Sequence, residues 1–305
     1  MPVRKSGFTL IETAATVAAA GICIAVAGVT AGMSANPRET ARMIKDASQL
    51  RQMSMAFLVW ATDNRDMYPM PSRIDVADDT VAEKETAKNT TAAIYSLLIF
   101  NGLLTAQEVV SPLENNPNIK PMTTFQANAP KAAVNPEKAL WDPAFSIDFR
   151  GDKIGHASYA HQQPSQERSK RWRASYDSLN VVLSSRGPEV RQVDANADGN
   201  YDVVLADPNS RTLDVFAGRR KGAWSGHFGF GDGRVTFSER LIAPAEREGG
   251  FIVRSAVTDE FSSVRAGKRI LDFPLFDEAD PADNNYVGMF IKAGDKRADF
   301  SAIWD

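Results

Sequence analysis

The chain is poor in the residues that build disulfide frameworks and transition-metal sites. Its 305 residues include one cysteine, Cys23, and three histidines at positions 156, 161 and 227. A single cysteine excludes an internal disulfide network and cysteine-rich zinc modules. Three scattered histidines give no support to a catalytic metal site built on imidazole.

An excess of positive charge is also missing. The chain has 35 Lys and Arg residues and 38 Asp and Glu residues, which gives a net charge of -3. This balance excludes a strongly basic nucleic-acid-binding chain, although local patches remain possible. The chain also lacks the Gly-x-Ser-x-Gly, P-loop and His-Glu-x-x-His strings of common enzymes. We therefore do not expect an enzyme.

A long uncharged segment lies close to the N-terminus. The 25 residues from Thr13 to Pro37 carry no charge and are mostly Ala, Val, Ile and Gly. About 20 apolar residues span a bilayer, and the basic Arg4 and Lys5 before the segment favour a cytoplasmic N-terminus. A generic signal anchor would fit this pattern, whereas a cleaved secretory signal has an apolar core of about 7–15 residues, which is shorter than this run. Neither explains the carboxylate of Glu12 at the edge of the apolar run.

The string from Lys5 to Glu12 reads Lys-Ser-Gly-Phe-Thr-Leu-Ile-Glu. It resembles the prepilin cleavage and methylation motif of type IV pilins and type II secretion pseudopilins. The resemblance implies that a prepilin peptidase cuts between Gly7 and Phe8 and methylates the new amino terminus of Phe8. It also implies that Glu12 pairs with the terminal amine of a neighbouring subunit during assembly.

This resemblance implies a domain layout and a location. Residues 1–7 are the expected leader, 8–35 the transmembrane helix, 36–66 an amphipathic stalk helix and 67–305 the head. The fold class expected is α+β and pilin-like, with one long N-terminal helix, half in the membrane and half amphipathic, packed on an antiparallel β-rich head. The chain would be a single-pass protein of the inner membrane, with its N-terminus in the cytoplasm and its head in the periplasm.

The function implied by the resemblance is that of a structural subunit in a type II secretion or type IV pilus-like filament. Its expected partners are prepilin peptidase, other pilin or pseudopilin subunits, the inner-membrane assembly platform and the lipid bilayer. The alternative is a minor-pilin-like module that binds DNA or a surface at a filament tip. That alternative would use the cations Arg168, Lys170, Arg171 and Arg173 beside Trp172. A solvated charge run is the preferred explanation of these residues, and nucleic acid is not expected as a partner.

Residues after the apolar run show helical periodicity. Asn36 and Pro37 suit a helix start, and an apolar stripe follows at positions 41, 44, 47, 50, 53, 57, 58 and 60. The charged residues between them, including Asp46, are expected on the other face. The helix should end near Asp63, where the string to Pro69 resembles the exit motif of pseudopilins, with Arg65 in place of a common glycine.

The head carries strand signals. Candidate strands are Val181–Ser185, Tyr201–Ala206, Thr212–Phe216 and Arg234–Ser238. Asp232 and Gly233 form a strong hairpin turn. With His227 before them, they resemble a signature of large planctomycete-type pilin-like proteins. We expect His227 to be a structural hydrogen-bonding residue.

A possible calcium loop precedes the second candidate strand. Oxygen-bearing side chains occupy alternate positions around Gly199, as in the first part of an EF-hand loop; the candidate ligands are Asp194, Asn196, Asp198, Asn200 and Asp202. The glutamate that closes such a loop is absent, since Leu205 stands at its position. The sequence therefore predicts either a structural Ca²⁺ site or a metal-free turn rich in Asp and Asn.

Overall fold

The computed structural model describes residues 37–178, 180–195, 201–214, 224–241 and 285–305. The motif residues Gly7, Phe8 and Glu12 and the segment 8–35 lie outside these ranges. The α-helices are α1 (Pro37–Asp63), α2 (Pro71–Ile74) and α3 (Thr91–Phe100). Short 3₁₀ helices cover Glu85–Lys88, Pro136–Lys138, Gln166–Lys170 and Arg211–Asp214.

The strands form one central sheet and two small ones. They are β1 (Tyr159–Gln162), β2 (Val181–Ser185), β3 (Val190–Ala195), β4 (Tyr201–Leu205), β5 (Gly226–Phe230), β6 (Val235–Ser238), β7 (Val287–Gly288), β8 (Phe290–Lys292) and β9 (Ser301–Ala302). The central sheet has the order β6-β5-β2-β1-β7, and every neighbouring pair in it is antiparallel. The other sheets are the pairs β3–β4 and β8–β9.

The fold class predicted from the sequence, α+β and pilin-like with a long two-part N-terminal helix, is wrong. The described chain is mainly antiparallel sheet and irregular structure, and none of its helices contains a membrane half. The sheet is built by pairings between segments far apart in sequence, such as β5 with β2 and β7 with β1. Hydrophobic periodicity, which is a local signal, does not reveal such pairings.

Helix α1 lies on one face of the central sheet. Its proline at the first position has no N–H to leave unsatisfied, and its buried side chains include Leu50, Met53 and Phe57. The helix approaches β5 so closely that a Cβ at Gly229 would lie 3.1 Å from the Ser54 hydroxyl oxygen and 3.6 Å from Leu50 Cγ. Glycine at this position therefore sets the spacing between helix and sheet.

The C-terminal end of α1 uses residues with unusual backbone angles. The N–H of Asp66 donates to the Ala61 carbonyl at 2.9 Å, which closes the last turn. Arg65 and Asp66 have φ angles of 55° and 61°, in the left-handed region that glycine normally occupies at helix ends. Arg65 therefore holds a conformation that its Cβ disfavours.

His161 lies at the centre of an aromatic cluster. Its ring is 5.8 Å from that of Tyr95, 5.3 Å from Trp172 and 5.4 Å from Phe290. Complete burial lowers the pKa of His161 to about 4. Its Nε2 lies 2.8 Å from the Thr91 hydroxyl, and its Nδ1 lies 2.7 Å from the carbonyl of the adjacent residue. The ring is therefore a neutral structural element that joins α3 to β1.

The strand predicted at Thr212–Phe216 is wrong where the structure describes it. Residues Arg211–Asp214 form a 3₁₀ helix. The Ser210 carbonyl accepts the N–H of Leu213, and the Ser210 hydroxyl accepts that of Thr212. These local hydrogen bonds replace the backbone hydrogen bonds that a strand would form with a neighbouring strand. The strand predicted at Val181–Ser185 is confirmed as β2.

Replacing Arg65 with glycine should stabilise the protein, because glycine adopts a positive φ without a steric penalty. We expect a gain of about 0.5–1 kcal/mol in the free energy of unfolding, measured by urea denaturation. Lys45→Gly, at an exposed interior position of α1, is the control and should lose about 0.5–1 kcal/mol. A loss on Arg65→Gly would contradict the strain assigned to this helix end.

The low pKa of His161 predicts a pH dependence of stability. Below about pH 6.5 the unfolded chain binds a proton that the folded chain does not bind until about pH 4. Stability should therefore fall as the pH drops through this window, by up to about 1.4 kcal/mol per pH unit from this residue. In His161→Gln the free energy of unfolding should depend less steeply on pH in this window. Above pH 7 the curves of stability against pH for the parent and the variant should run parallel. If the free energy of unfolding of the two proteins changed equally with pH between about pH 4 and 6.5, this role of His161 would be excluded.

Candidate functional site

Asp46 is an acidic residue inside the contact between α1 and the sheet. The sequence pattern placed it on the charged outer face, and this prediction is wrong, because Asp46 is only 1% exposed. Its carboxylate accepts hydrogen bonds from the Tyr159 hydroxyl and from His227 Nδ1, both at 2.7 Å. The Ser111 hydroxyl also donates to it. We call these four residues the Asp46 cluster.

The cluster brings together four distant parts of the chain. Asp46 lies on α1, Tyr159 begins β1, His227 lies on β5, and Ser111 follows two buried valines in an irregular segment. The backbone N–H of His227 also donates to the Ser185 hydroxyl on β2, at 3.0 Å. Each of the three partners of Asp46 thus fixes a different segment of the head against the helix.

The electrostatics of the cluster favour a fixed arrangement of protons. Burial, followed by the charge of Asp46, raises the pKa of Tyr159 well above its ordinary value, so the phenol stays protonated and donates. Since a carboxylate accepts, the proton between His227 and Asp46 lies on Nδ1 of the imidazole. A buried carboxylate is costly unless its oxygens are paired, and all three donors serve that purpose here.

A small polar cavity lies beside the cluster. It has a volume of about 20 Å³, and its lining includes Asp46, Ser111, Ser185 and Arg186. Arg186 also forms ion pairs with Glu114 at 2.6 Å and with Asp305 at 2.5 Å. The volume is enough for one water molecule and far below that of a substrate pocket. The arrangement can therefore attach helix to head but has no room for a substrate.

The predicted calcium residues are only partly described. Positions 194 and 202 face each other in the β3–β4 pairing, whereas Asn196, Asp198 and Asn200 lie outside the described residues. In the described ranges, no three side chains of His, Cys, Asp or Glu are grouped closely enough to hold a metal ion. Calcium binding at this turn stays a prediction.

The basic residues of the alternative function are not all at the surface. Arg168 is completely buried, with its guanidinium 5.4 Å from the centre of the Tyr286 ring. Arg173 lies 3.7 Å from the carboxylate of Asp66. Lys170 is exposed and Arg171 half-buried. A polyanion at the surface could not reach Arg168, so the four cations do not act as one patch.

Within residues 37–305, as far as the structure describes them, no helix is both long enough and apolar enough to cross a bilayer.

Three comparisons were made with known proteins. Neither the family models, nor the curated proteins, nor the solved structures include a match to this chain.

Replacing Asp46 with asparagine should strongly destabilise the protein, because one amide oxygen cannot serve three donors. We expect a loss of about 3 kcal/mol in the free energy of unfolding, since the buried His227 loses its charged partner. Urea denaturation should show a lower midpoint with an unchanged slope.

The matched control is Asp63→Asn, which removes an exposed carboxylate from the end of the same helix. This change should alter the free energy of unfolding by no more than about 0.5 kcal/mol. Similar losses in the two variants would show that the Asp46 contacts carry no special stability.

Proposed function

We propose that this chain is a structural subunit of a pilin-like or pseudopilin filament of the type II secretion or type IV pilus kind. Its segment 8–35 would lie in the inner membrane and its head outside the cytoplasm. A prepilin peptidase would remove residues 1–7 and methylate Phe8. The mature chain would then be inserted beside other subunits by an inner-membrane assembly platform. Its role is assembly rather than catalysis.

One observation carries the proposal. The Lys5–Glu12 string stands immediately before a run of 25 uncharged residues, and Glu12 is the last charge before that run. Glycine at the cut leaves room for a protease cleft, because it has no side chain. A carboxylate in hydrocarbon is costly unless it is paired. The new amine of Phe8 in a neighbouring subunit is a partner that processing itself creates.

The pairing explains how subunits could find their register. Apolar segments slide past one another with little change in free energy, because lipid tails are as apolar as their side chains. A single buried ion pair makes one offset preferable to all others, since every other offset leaves Glu12 and the amine unpaired. Assembly would therefore depend on Glu12 even though cleavage does not.

The contacts of α1 add support for this role. The apolar run is followed in sequence by α1, and Asp46 and Leu50 fix that helix to the head. A subunit that is positioned through its N-terminal segment needs such an attachment, because the head must follow that segment into the filament. The Asp46 cluster supplies this attachment in the proposed function.

The proposal predicts that Glu12→Ala separates processing from assembly. When the chain is expressed in membranes with a prepilin peptidase and its assembly machinery, the variant should be cut after Gly7 as efficiently as the parent. It should nevertheless give at least about tenfold less filament in sheared or cross-linked fractions, since the amine loses its partner.

Thr13→Ala is the control, because it changes the adjacent residue without removing a charge. N-terminal sequencing reports cleavage, and filament yield reports assembly. Normal filament yield from Glu12→Ala would exclude the pairing role, and a parent that keeps its first seven residues beside an active peptidase would refute the proposed processing.

A further inference from the structure

The first turns of α1 carry an exposed group of cations. Arg38, Arg42 and Lys45 follow one another at intervals of four and three residues, so they share one side of the helix. All three are exposed, whereas Glu39 is half-buried and Asp46 is buried against the sheet. We call the three cations the α1 basic stripe.

The stripe has a net positive charge. Between Pro37 and Lys45 the chain has three basic residues and one acid. Within the described part of the chain, neither Arg42 nor Lys45 forms an ion pair. Even if the charges of Arg38 and Glu39 cancel each other, Arg42 and Lys45 leave two positive charges on the stripe.

The stability of α1 does not account for these cations. The N-terminal end of a helix has a partial positive charge that favours acids, and its C-terminal end favours cations. Arg38 lies in the first turn of α1 and Arg42 in the second, whereas the last turn has no basic residue. This order is opposite to the one that the helix dipole favours, so the benefit of the cations lies outside the helix.

The head leaves this part of α1 uncovered. The first buried side chain of the helix is that of Met43, which packs with Leu113 and Phe237. Residues 37–42 are all exposed or half-buried, and they cover every side of the helix. A flat surface can therefore reach the stripe without displacing the head.

The stripe also follows directly on the apolar run. The 25 uncharged residues end at Pro37, and Arg38 is the first charge after Glu12. At about 1.5 Å per residue, Arg42 lies about 8 Å and Lys45 about 12 Å along α1 from Pro37. A headgroup layer is about 5–8 Å thick on each side of a bilayer, and charges act over about 8–10 Å beyond it in physiological salt.

From these observations we propose that the α1 basic stripe binds anionic phospholipid headgroups in the leaflet from which α1 emerges. This inference rests on the proposed function, because it requires segment 8–35 to lie in the bilayer. The recognised chemistry is a lipid phosphate whose headgroup has a net negative charge, such as phosphatidylglycerol. Arg42 lies at the depth of the phosphates and Lys45 within range of the negative surface.

Such a contact supplies a fixed depth, which the apolar run does not. The run has 25 uncharged residues, whereas about 20 are enough to span a bilayer. A run with residues to spare tilts or shifts at little cost. Ion pairs between the stripe and the headgroups favour one depth, and they hold the subunit at the surface until assembly removes it from the bilayer.

The test uses the full-length protein in phosphatidylcholine vesicles that contain a trace of spin-labelled lipid. The label is carried either by phosphatidylglycerol or by phosphatidylcholine, and electron paramagnetic resonance measures the fraction of each that the protein holds. One cation near the surface changes the affinity for an anionic lipid about fivefold. The parent should therefore prefer phosphatidylglycerol at least about fivefold, and added salt should weaken this preference.

Variants of the protein locate the site. Arg42→Gln with Lys45→Gln should lower the preference at least about threefold. The matched control is Lys131→Gln with Lys138→Gln, which removes the same charge from exposed positions between α3 and β1 and should leave the preference unchanged. Circular dichroism checks that both variants are folded. The comparison of the two lipids tests the proposal on the unaltered protein even if a variant unfolds.

Two results would overturn this inference and leave the proposed function intact. The inserted parent could hold the two lipids equally, or the preference could survive in the double variant, which would assign it to Arg4 and Lys5 on the other side of the apolar run. A parent that alkaline carbonate washes off the vesicles would instead refute the membrane placement of segment 8–35, and the inference would fail with it.

Discussion

The buried carboxylate of Asp46 is the constraint on which the arrangement of helix and sheet depends. It lies on α1 with its oxygens paired to Tyr159, His227 and Ser111, residues of three other segments. Apolar contacts along the helix provide most of the stabilisation, but they tolerate small shifts. A paired buried charge does not tolerate them, because any sliding of the helix leaves an acceptor or a donor unsatisfied. The cluster therefore fixes the register of α1 on the sheet.

This fixed register links the head to the proposed function. The motif at Gly7 and Phe8 and the acid Glu12 lie at one end of the chain, and the head occupies the other. If assembly fixes the position of the N-terminal segment, the sheet follows that segment only while α1 stays attached to the sheet.

The sequence predicted the local elements better than their arrangement. A helix was predicted over 36–66, and α1 covers Pro37–Asp63, because helical periodicity and a good N-terminal proline are local signals. The role of Asp46 was missed because its partners Tyr159 and His227 are 113 and 181 residues away. The expectation that His227 forms structural hydrogen bonds was the clearest hint of the Asp46 cluster that the sequence offered. The fold class was wrong because the central sheet depends on long-range pairings, and between α3 and β1 the chain forms only one short 3₁₀ helix.

Native-state hydrogen exchange of the full-length protein tests most directly whether α1 and the sheet form one unit. The slowest amides between Met43 and Ala61 should exchange with the same opening free energy as those of β2 and β5, and with the same dependence on denaturant. That result would show that the helix separates from the sheet only when the head unfolds. A lower opening free energy for α1, independent of denaturant, would show that the helix detaches locally and would contradict the account.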